Sequence, residues 1–364
     1  MNNAVLSVVI AGGGTAGHIE PALAVGEALK THYDARITAL GTKKGLDGEI
    51  IPARGVDLRM ILPVPIPRKP SMDLVKLPYR LIKAVLQTRA VLKDVNAQAV
   101  FGTGGYVAAP AYLAAKSKGL PFYVLETNAL AGMANKLGVK LGGVGFNATQ
   151  NSGMAGDVVG IPVRSGIGED PDGSAAARGR SQWGLDDSKP VLLITGGSQG
   201  AASINAAVKE ALPELVDHVQ VLHAYGPRNE APEGQEGYVP VPYIDDMAAA
   251  LAVADLTVCR SGAMTVAEIT AAGLPAIYVP LPHGNGEQAL NSQHVVEAGG
   301  AVMIKDSELT GHRLAEEVLS IARDPQRREA MVAAAQDSGS GDVSKMLADR
   351  IADDVRKEQE KESN

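Results

Sequence analysis

Two stretches constrain the fold more than anything else in the chain: SVVIAGGGTAG at 7–17 and PVLLITGGSQG at 190–200. Each is an apolar run of strand length that breaks into paired glycines and a Ser or Thr. A segment with helical spacing follows. Further apolar runs (RITAL, AVFG, PFYVL) alternate with helical stretches in the same way. Short apolar strands alternating with helices are the pattern of a parallel sheet covered on both faces. Between the two halves, after Pro162, lies RSGIGEDPDGS, a polar linker rich in Gly and Pro. A chain of 364 residues exceeds one ordinary core. The expected architecture is α/β, with two Rossmann-like doubly wound domains facing across a cleft, at 1–163 and 164–341. An amphipathic helix over about 342–358 and a charged, frayed end complete it.

Composition narrows the class. Hydrophobic content of 45% with 21% charged residues reads as soluble and globular. The single cysteine, Cys259, excludes an internal disulfide framework and fits a reducing compartment. The N-terminus lacks a basic n-region, and no window holds the roughly 18 apolar residues of a spanning helix, so a cytoplasmic protein is expected. The formal charge of −7 is unevenly spread. Residues 1–165 carry 18 Lys+Arg and 10 Asp+Glu, net +8, so the remainder carries 16 and 31, net −15. The positive half is suited to an anionic surface or ligand. No nucleic-acid motif is present.

Four segments put small residues where a strand gives way to a helix: 12–17, 102–105 (GTGG), 196–200 (GGSQG) and 261–263 (SGA). Glycines allow close backbone approach, and each helix start offers unpaired amides and a positive dipole end, which suits a phosphorylated ligand. Gly12, Gly14 and Gly17 spell G-x-G-x-x-G, but the second strand ends in Gly41-Thr42-Lys43-Lys44, without the acid that holds a dinucleotide ribose. The lysines leave an NADP-dependent oxidoreductase open, although it does not explain the loops at 196 and 261. No G-K-[ST] follows any of the glycines, so a P-loop fails. In DLTVCRSGAMTVAEITAAGLPAIYVPLPHGNGEQALNSQHVVEAGGA (255–301), a helix starts near Ala263 with amides free for a diphosphate. Glu268, about a turn and a half in, has the chemistry to accept both hydroxyls of a ribose. Glu287, Gln288 and Asn291 open the next helix, and a carboxamide suits sugar hydroxyls.

The motifs GGTAGHIEPALA (13–24), GTGGYVAAPAYLAA (102–115), ETNALAGMANK (126–136), VGIPVR (159–164), TGGSQGA (195–201), YIDDM (243–247) and CRSGAMTVAEITAAGLPAIYVPLP (259–282) span nearly the whole chain. In order and spacing they resemble the MurG family of bacterial glycosyltransferases, which transfer N-acetylglucosamine (GlcNAc) from UDP-GlcNAc to undecaprenyl-pyrophosphoryl-MurNAc-pentapeptide (lipid I), giving lipid II. The resemblance implies a B-type glycosyltransferase fold whose last helix crosses back onto the N-terminal domain. It implies that Thr15, Ala16, Gly17 and Asn128 line the sugar and acceptor side. Arg164 and the backbone of Ile244 would meet the uracil, with Tyr243 covering it. Ser198 and the amides of Ala263, Met264 and Thr265 would take the diphosphate, Glu268 the ribose and Gln288 the sugar hydroxyls, with Val266 and Ala267 also among the substrate-binding residues. Four positions depart from the family pattern: Ala16 replaces a glycine, Leu125 and Thr127 replace the histidine and glutamine of HEQN, and Glu287 replaces a histidine. The resemblance also implies peripheral attachment to the cytoplasmic face of the cell membrane, and partners in the cell-wall or division machinery. A UDP-sugar 2-epimerase of related fold and a non-catalytic UDP-sugar binding module are the other readings.

An inverting displacement needs a base for the acceptor hydroxyl, and the candidates are His18 and Glu126. A helix N-terminus disfavours imidazolium and so keeps His18 available as a base. No cofactor and no obligatory metal are expected, since the one D-x-D, Asp170-Pro171-Asp172, falls in the linker as a solvated turn. RKPSMDLVKLPYRLIKAVLQTRAVLK (68–93) holds seven basic residues (Arg68, Lys69, Lys76, Arg80, Lys83, Arg89, Lys93) and one acid, Asp73. Apolar residues interleave with them, and Pro78 is expected to start or kink the helix. This piece is expected to dock on an anionic membrane, with Lys140 adjoining.

Overall fold

The computed structural model describes residues 5–43, 45–65, 72–282 and 286–363, without the side chains of 72–76, 362 and 363. The chain divides into two compact units: Met1–Arg164 with Asp342–Asn364, and Ser165–Gly341.

The first unit holds β1 (Ser7–Gly12), β2 (Arg36–Gly41), β3 (Asp57–Met60), β4 (Ala99–Gly104), β5 (Phe122–Glu126), β6 (Val144–Asn147) and β7 (Asp157–Val158). They form one sheet in the order β3-β2-β1-β4-β5-β6-β7, all parallel. β1, β4 and β5 are buried along their whole length, which is why these runs are apolar without alternation. One core cluster contains Val8, Ile10, Ile19 and Phe101, and another contains Val9, Leu40, Val100 and Tyr112. Alternate residues of β1 enter each, so the sheet is covered on both faces.

The second unit repeats the plan with β8 (Val191–Thr195), β9 (Gln220–Ala224), β10 (Tyr238–Val241), β11 (Leu256–Cys259), β12 (Ala276–Tyr278) and β13 (Ala301–Met303), ordered β10-β9-β8-β11-β12-β13. Both sheets are Rossmann-like. In each, the strand order reverses beside the unit's first strand, at β1 and β4 and again at β8 and β11. Doubly wound sheets bind ligands at the carboxyl ends of such a reversal. All four glycine loops leave from these four strands.

The last helix, Val343–Ser363, belongs to the first unit and runs past the end expected near 358. Val343, Leu347, Ala348, Ile351 and Val355 put an apolar stripe into the cluster that holds Val8 and Ile10. Tyr33 donates its hydroxyl to Asp349 at 2.7 Å, and Tyr123 donates to Asp354 at 3.2 Å. The guanidinium of Arg356 lies 5.3 Å above the Tyr33 ring. The hydrogen bond to Asp349 and burial push the Tyr33 phenol up to about 12. Pro78 does not begin a helix: it lies inside Met72–Asp94, which starts six residues earlier.

In the second unit His223 is buried in β9, with one ring nitrogen 2.9 Å from the Tyr238 hydroxyl and the other 3.1 Å from the Asn205 side-chain oxygen. Burial pushes its pKa down to about 4. The unfolded chain therefore binds the extra proton first, and stability rises with pH between about 4 and 6.5 and is flat above that. Acidification across this window should cost about 3 kcal/mol from this residue alone. Melting temperatures of the wild type should fall more steeply from pH 6.5 to 4 than those of His223→Gln. Parallel slopes would remove His223 as the cause.

Candidate functional site

In the first unit the loop after β1 packs against the loop after β4. A side chain at Gly12 would collide with the His18 carbonyl and the Thr103 hydroxyl. Those two groups are bonded to each other, Thr103 Oγ1 donating to the His18 oxygen at 2.6 Å. Thr15 is the N-cap of the helix Ala16–Tyr33, and His18 is its third residue, half-buried. The imidazole lies along Gly104, where an added Cβ would stand 2.9 Å from Cε1 and Nδ1. Gly104 also has φ +119, a conformation side chains rarely adopt. At Gly17 an added Cβ would meet only the Thr15 hydroxyl at 4.0 Å, so there is space beside this glycine. Pro21, one turn on, has no N–H for the Gly17 carbonyl. Ala16 sits inside the helix, a conformation that alanine adopts as readily as glycine.

Glu126 ends β5 and is 1% exposed. Its Oε1 accepts the Asn128 backbone N–H at 2.9 Å and the Asn128 side-chain amide at 3.2 Å. Its Oε2 accepts the Gly132 N–H and the Asn135 amide, both at 2.9 Å. Asn135 in turn donates to the Leu125 carbonyl at 3.2 Å and accepts the Tyr112 hydroxyl at 2.9 Å. Burial and the neighbouring Glu126 charge raise the Tyr112 phenol well above its ordinary range. Both oxygens of Glu126 are thus occupied in bracing the 126–132 loop.

In the second unit Thr195 of β8 is paired with Cys259 of β11, so the loops 196–200 and 260–263 leave from neighbouring strand ends. Asn229 donates to the carbonyls of Gln199 at 3.0 Å and Tyr225 at 2.9 Å, which fixes the GGSQG turn with Ser198 exposed at its tip. The helix Ala263–Ala271 begins after Gly262 with no side-chain cap. The amides of Ala263, Met264 and Thr265 therefore have no intrahelical acceptor and point out with the positive end of the dipole. Ser261, just before them, is fully buried and its hydroxyl has no hydrogen-bond partner among the described residues. Val266 is buried and Ala267 half-buried on the same helix, and Glu268 is 8% exposed. Asn291 staples the next helix to this loop by donating to the Ser261 carbonyl at 3.3 Å. The Gln288 side-chain oxygen accepts the Leu281 N–H at 3.0 Å. Ile244 is buried and Tyr243 is exposed. Arg164 is the last residue of the first unit before the chain crosses. Residues 283–285 of the PHGNG loop lie outside the described residues.

Two family models match: the glycosyltransferase family 28 N-terminal domain over residues 8–141 and its C-terminal domain over 191–347. The chain belongs to glycosyltransferase family 28. A relative from Corynebacterium efficiens, named UDP-N-acetylglucosamine–N-acetylmuramyl-(pentapeptide) pyrophosphoryl-undecaprenol N-acetylglucosamine transferase, is 61% identical, covering 95% of this chain and 97% of its own length. One of the same name from Mycolicibacterium smegmatis is 50% identical over 94% of this chain and 92% of its own. Among solved structures, Acinetobacter baumannii MurG matches with a TM-score of 0.74 and 26% identity, covering 96% of this chain and 100% of that one. The calicheamicin glycosyltransferase CalG4, at TM-score 0.68 and 18% identity, shares the fold.

For this family 28 chain the sequence located the four loops but missed what holds them. Thr103, Asn135 and Asp47 are buried polar residues that tie the first unit's loops together. Arg260, next after β11, donates to the carbonyls of Val279 and Pro280 and to Ser203 Oγ, and pairs with Asp306. The D-x-D carboxylates are helix caps. Asp170 accepts the N–H groups of Ala175 and Ala176 and Asp172 that of Ser174, at the start of Ser174–Trp183.

Proposed function

We propose that the chain moves GlcNAc from UDP-GlcNAc to the 4-hydroxyl of the MurNAc of lipid I, inverting the anomeric carbon and forming lipid II. The observation that carries this reading is the 61% identity, over almost the full length of both chains, to a relative named for that transfer. The site geometry supports assigning parts of the work. His18 takes the proton from the acceptor hydroxyl. The amides of Ala263, Met264 and Thr265 offset the charge that develops on the departing UDP, with Ser198 at the facing loop. Glu268 holds the ribose, Gln288 donates to the sugar, and Arg164, Tyr243 and the Ile244 backbone hold the uracil. Thr15, Ala16, Gly17 and Asn128 meet the acceptor, in the space that Gly17 leaves open. Glu126 is a positioning residue: with both oxygens filled by donors, its lone pairs are already in use.

The test is to incubate the chain with radiolabelled UDP-GlcNAc and a lipid I analogue and to follow label into the acceptor. Transfer supports the reading. UDP-ManNAc formed without acceptor would mark an epimerase, and binding without turnover a UDP-sugar binding module.

The acceptor's lipid requires contact with a membrane, and no helix among the described residues is long and apolar enough to cross one. We place that contact on Met72–Asp94. Its buried face carries Ala84, Thr88 and Leu92, while Tyr79, Ile82 and Leu86 are 69%, 62% and 60% exposed on the other side. Lys83, Arg89 and Lys93 are exposed with them. Such a stripe suits the interface of an anionic bilayer. Arg68 and Lys69 lie outside the described residues, as does the side chain of Lys76. The affinity for phosphatidylglycerol vesicles, read by co-sedimentation, should drop about 100-fold or more in Ile82→Ser/Leu86→Ser/Lys83→Glu, because burial of each of the two large apolar side chains contributes roughly 1.5–3 kcal/mol. Undiminished binding would move the contact elsewhere.

A further inference from the structure

A carboxylate to which the proposed chemistry gives no part holds the loop that presents His18. Asp47 opens the helix Asp47–Ala53 and is fully buried. Its Oδ1 accepts the Gly14 N–H at 2.6 Å, and its Oδ2 accepts the Thr42 N–H at 2.7 Å and hydroxyl at 3.2 Å. The Leu46 N–H donates to the Gly14 carbonyl at 3.3 Å. Gly14 is therefore held at both of its backbone polar groups by two consecutive residues from the loop after β2. Thr15, the helix N-cap, is the next residue, and His18 follows three later.

Three successive glycines, Gly12 to Gly14, have more backbone freedom than any other tripeptide, and nothing in their own side chains limits it. The first turn of a helix is also its least constrained part. A charge-assisted bond to the Gly14 amide removes that freedom where it matters. We propose that Asp47 is a positioning residue for the transfer. Its carboxylate fixes the turn carrying Thr15, Ala16, Gly17 and His18, and so sets the base and these acceptor-facing residues in register. The proposal rests on the transferase reading above.

Size and acceptor count pull in opposite directions here, which makes the role separable from packing. Asn has the shape of Asp, but its NH2 must face either the Gly14 or the Thr42 N–H. Glu adds a methylene yet keeps two acceptor oxygens. In Asp47→Asn, kcat should fall about 100-fold, the loss expected for a displacement of order 1 Å. Because the residues assigned to UDP, Arg164 apart, belong to the second unit, and no bond of Asp47 among the described residues reaches Arg164, its Kd by titration calorimetry should stay unchanged. Amide exchange over 12–19 should accelerate, and Asp47→Glu should retain more kcat than Asp47→Asn. The proposal is overturned if Asp47→Asn keeps wild-type kcat and exchange, if Asn is better tolerated than Glu, or if UDP affinity and kcat fall together. Should Asp47→Asn fail to fold, Asp47→Glu carries the same readouts. A wild-type chain that transfers nothing refutes the transferase reading instead.

Discussion

Replacing His18 with alanine should lower kcat for transfer to a lipid I analogue by about 10²–10⁴, the range contributed by a positioned general base. UDP affinity should be unaffected, because the amides, Ser198 and Glu268 assigned to the nucleotide are all in the second unit. The variant should fold, since the Thr103 bond is to the His18 carbonyl and not to its ring. Removing the imidazole uncovers the flank of Gly104, so added free imidazole should restore part of the rate. Gly104→Ala offers a second route to the same point. Its methyl would stand 2.9 Å from the ring and displace it, while also straining a φ of +119. Single-turnover transfer measured for both variants beside UDP calorimetry decides the matter. A His18→Ala enzyme within about threefold of wild type would remove the base assignment, since even a weak base effect exceeds that.

The division between what the sequence disclosed and what it withheld follows the range of the interactions. The four glycine loops were legible because strand, turn and helix start are local, each readable within a dozen residues. Their meeting at two strand reversals was not, because it depends on sheet order. The G-x-G-x-x-G spacing was open to a dinucleotide reading, yet two of those glycines answer to packing. Gly12 is closed in by Thr103, and Gly14 is tied to Asp47. Asp47, Asn135 and Thr103 carry no local pattern, since each acts across 32 to 85 residues of chain in at least one of its bonds. The capping role of Asp170 is local, its donors lying five and six residues on, but a D-x-D beside Gly and Pro reads equally as a solvated turn. The start of the helix through Pro78 was hidden for a different reason. Proline suits a first helical turn, yet six helical residues precede it here, and the burial of Ala84, Thr88 and Leu92 holds the helix.

Glu126→Ala should show its main effect in stability. The change removes the acceptors of the Asn128 and Gly132 amides and of the Asn135 side chain in a buried site. Unsatisfied buried donors cost about 1–3 kcal/mol each, partly offset by water reaching the loop, so a loss of about 3 kcal/mol is expected. For a unit of this size that corresponds to a fall in melting temperature of roughly 10 °C. Transfer should weaken as well, since the loop that carries Asn128 loses its brace. Glu126→Gln sharpens the distinction from a base. Its single carbonyl oxygen serves one side of the loop while its NH2 faces a donor on the other, so the melting temperature should still drop, by about half as much. A general base replaced by Gln would instead leave the melting temperature untouched and abolish transfer. Calorimetric melting of both variants, set beside their single-turnover rates, separates the two roles, because only the brace couples rate to stability.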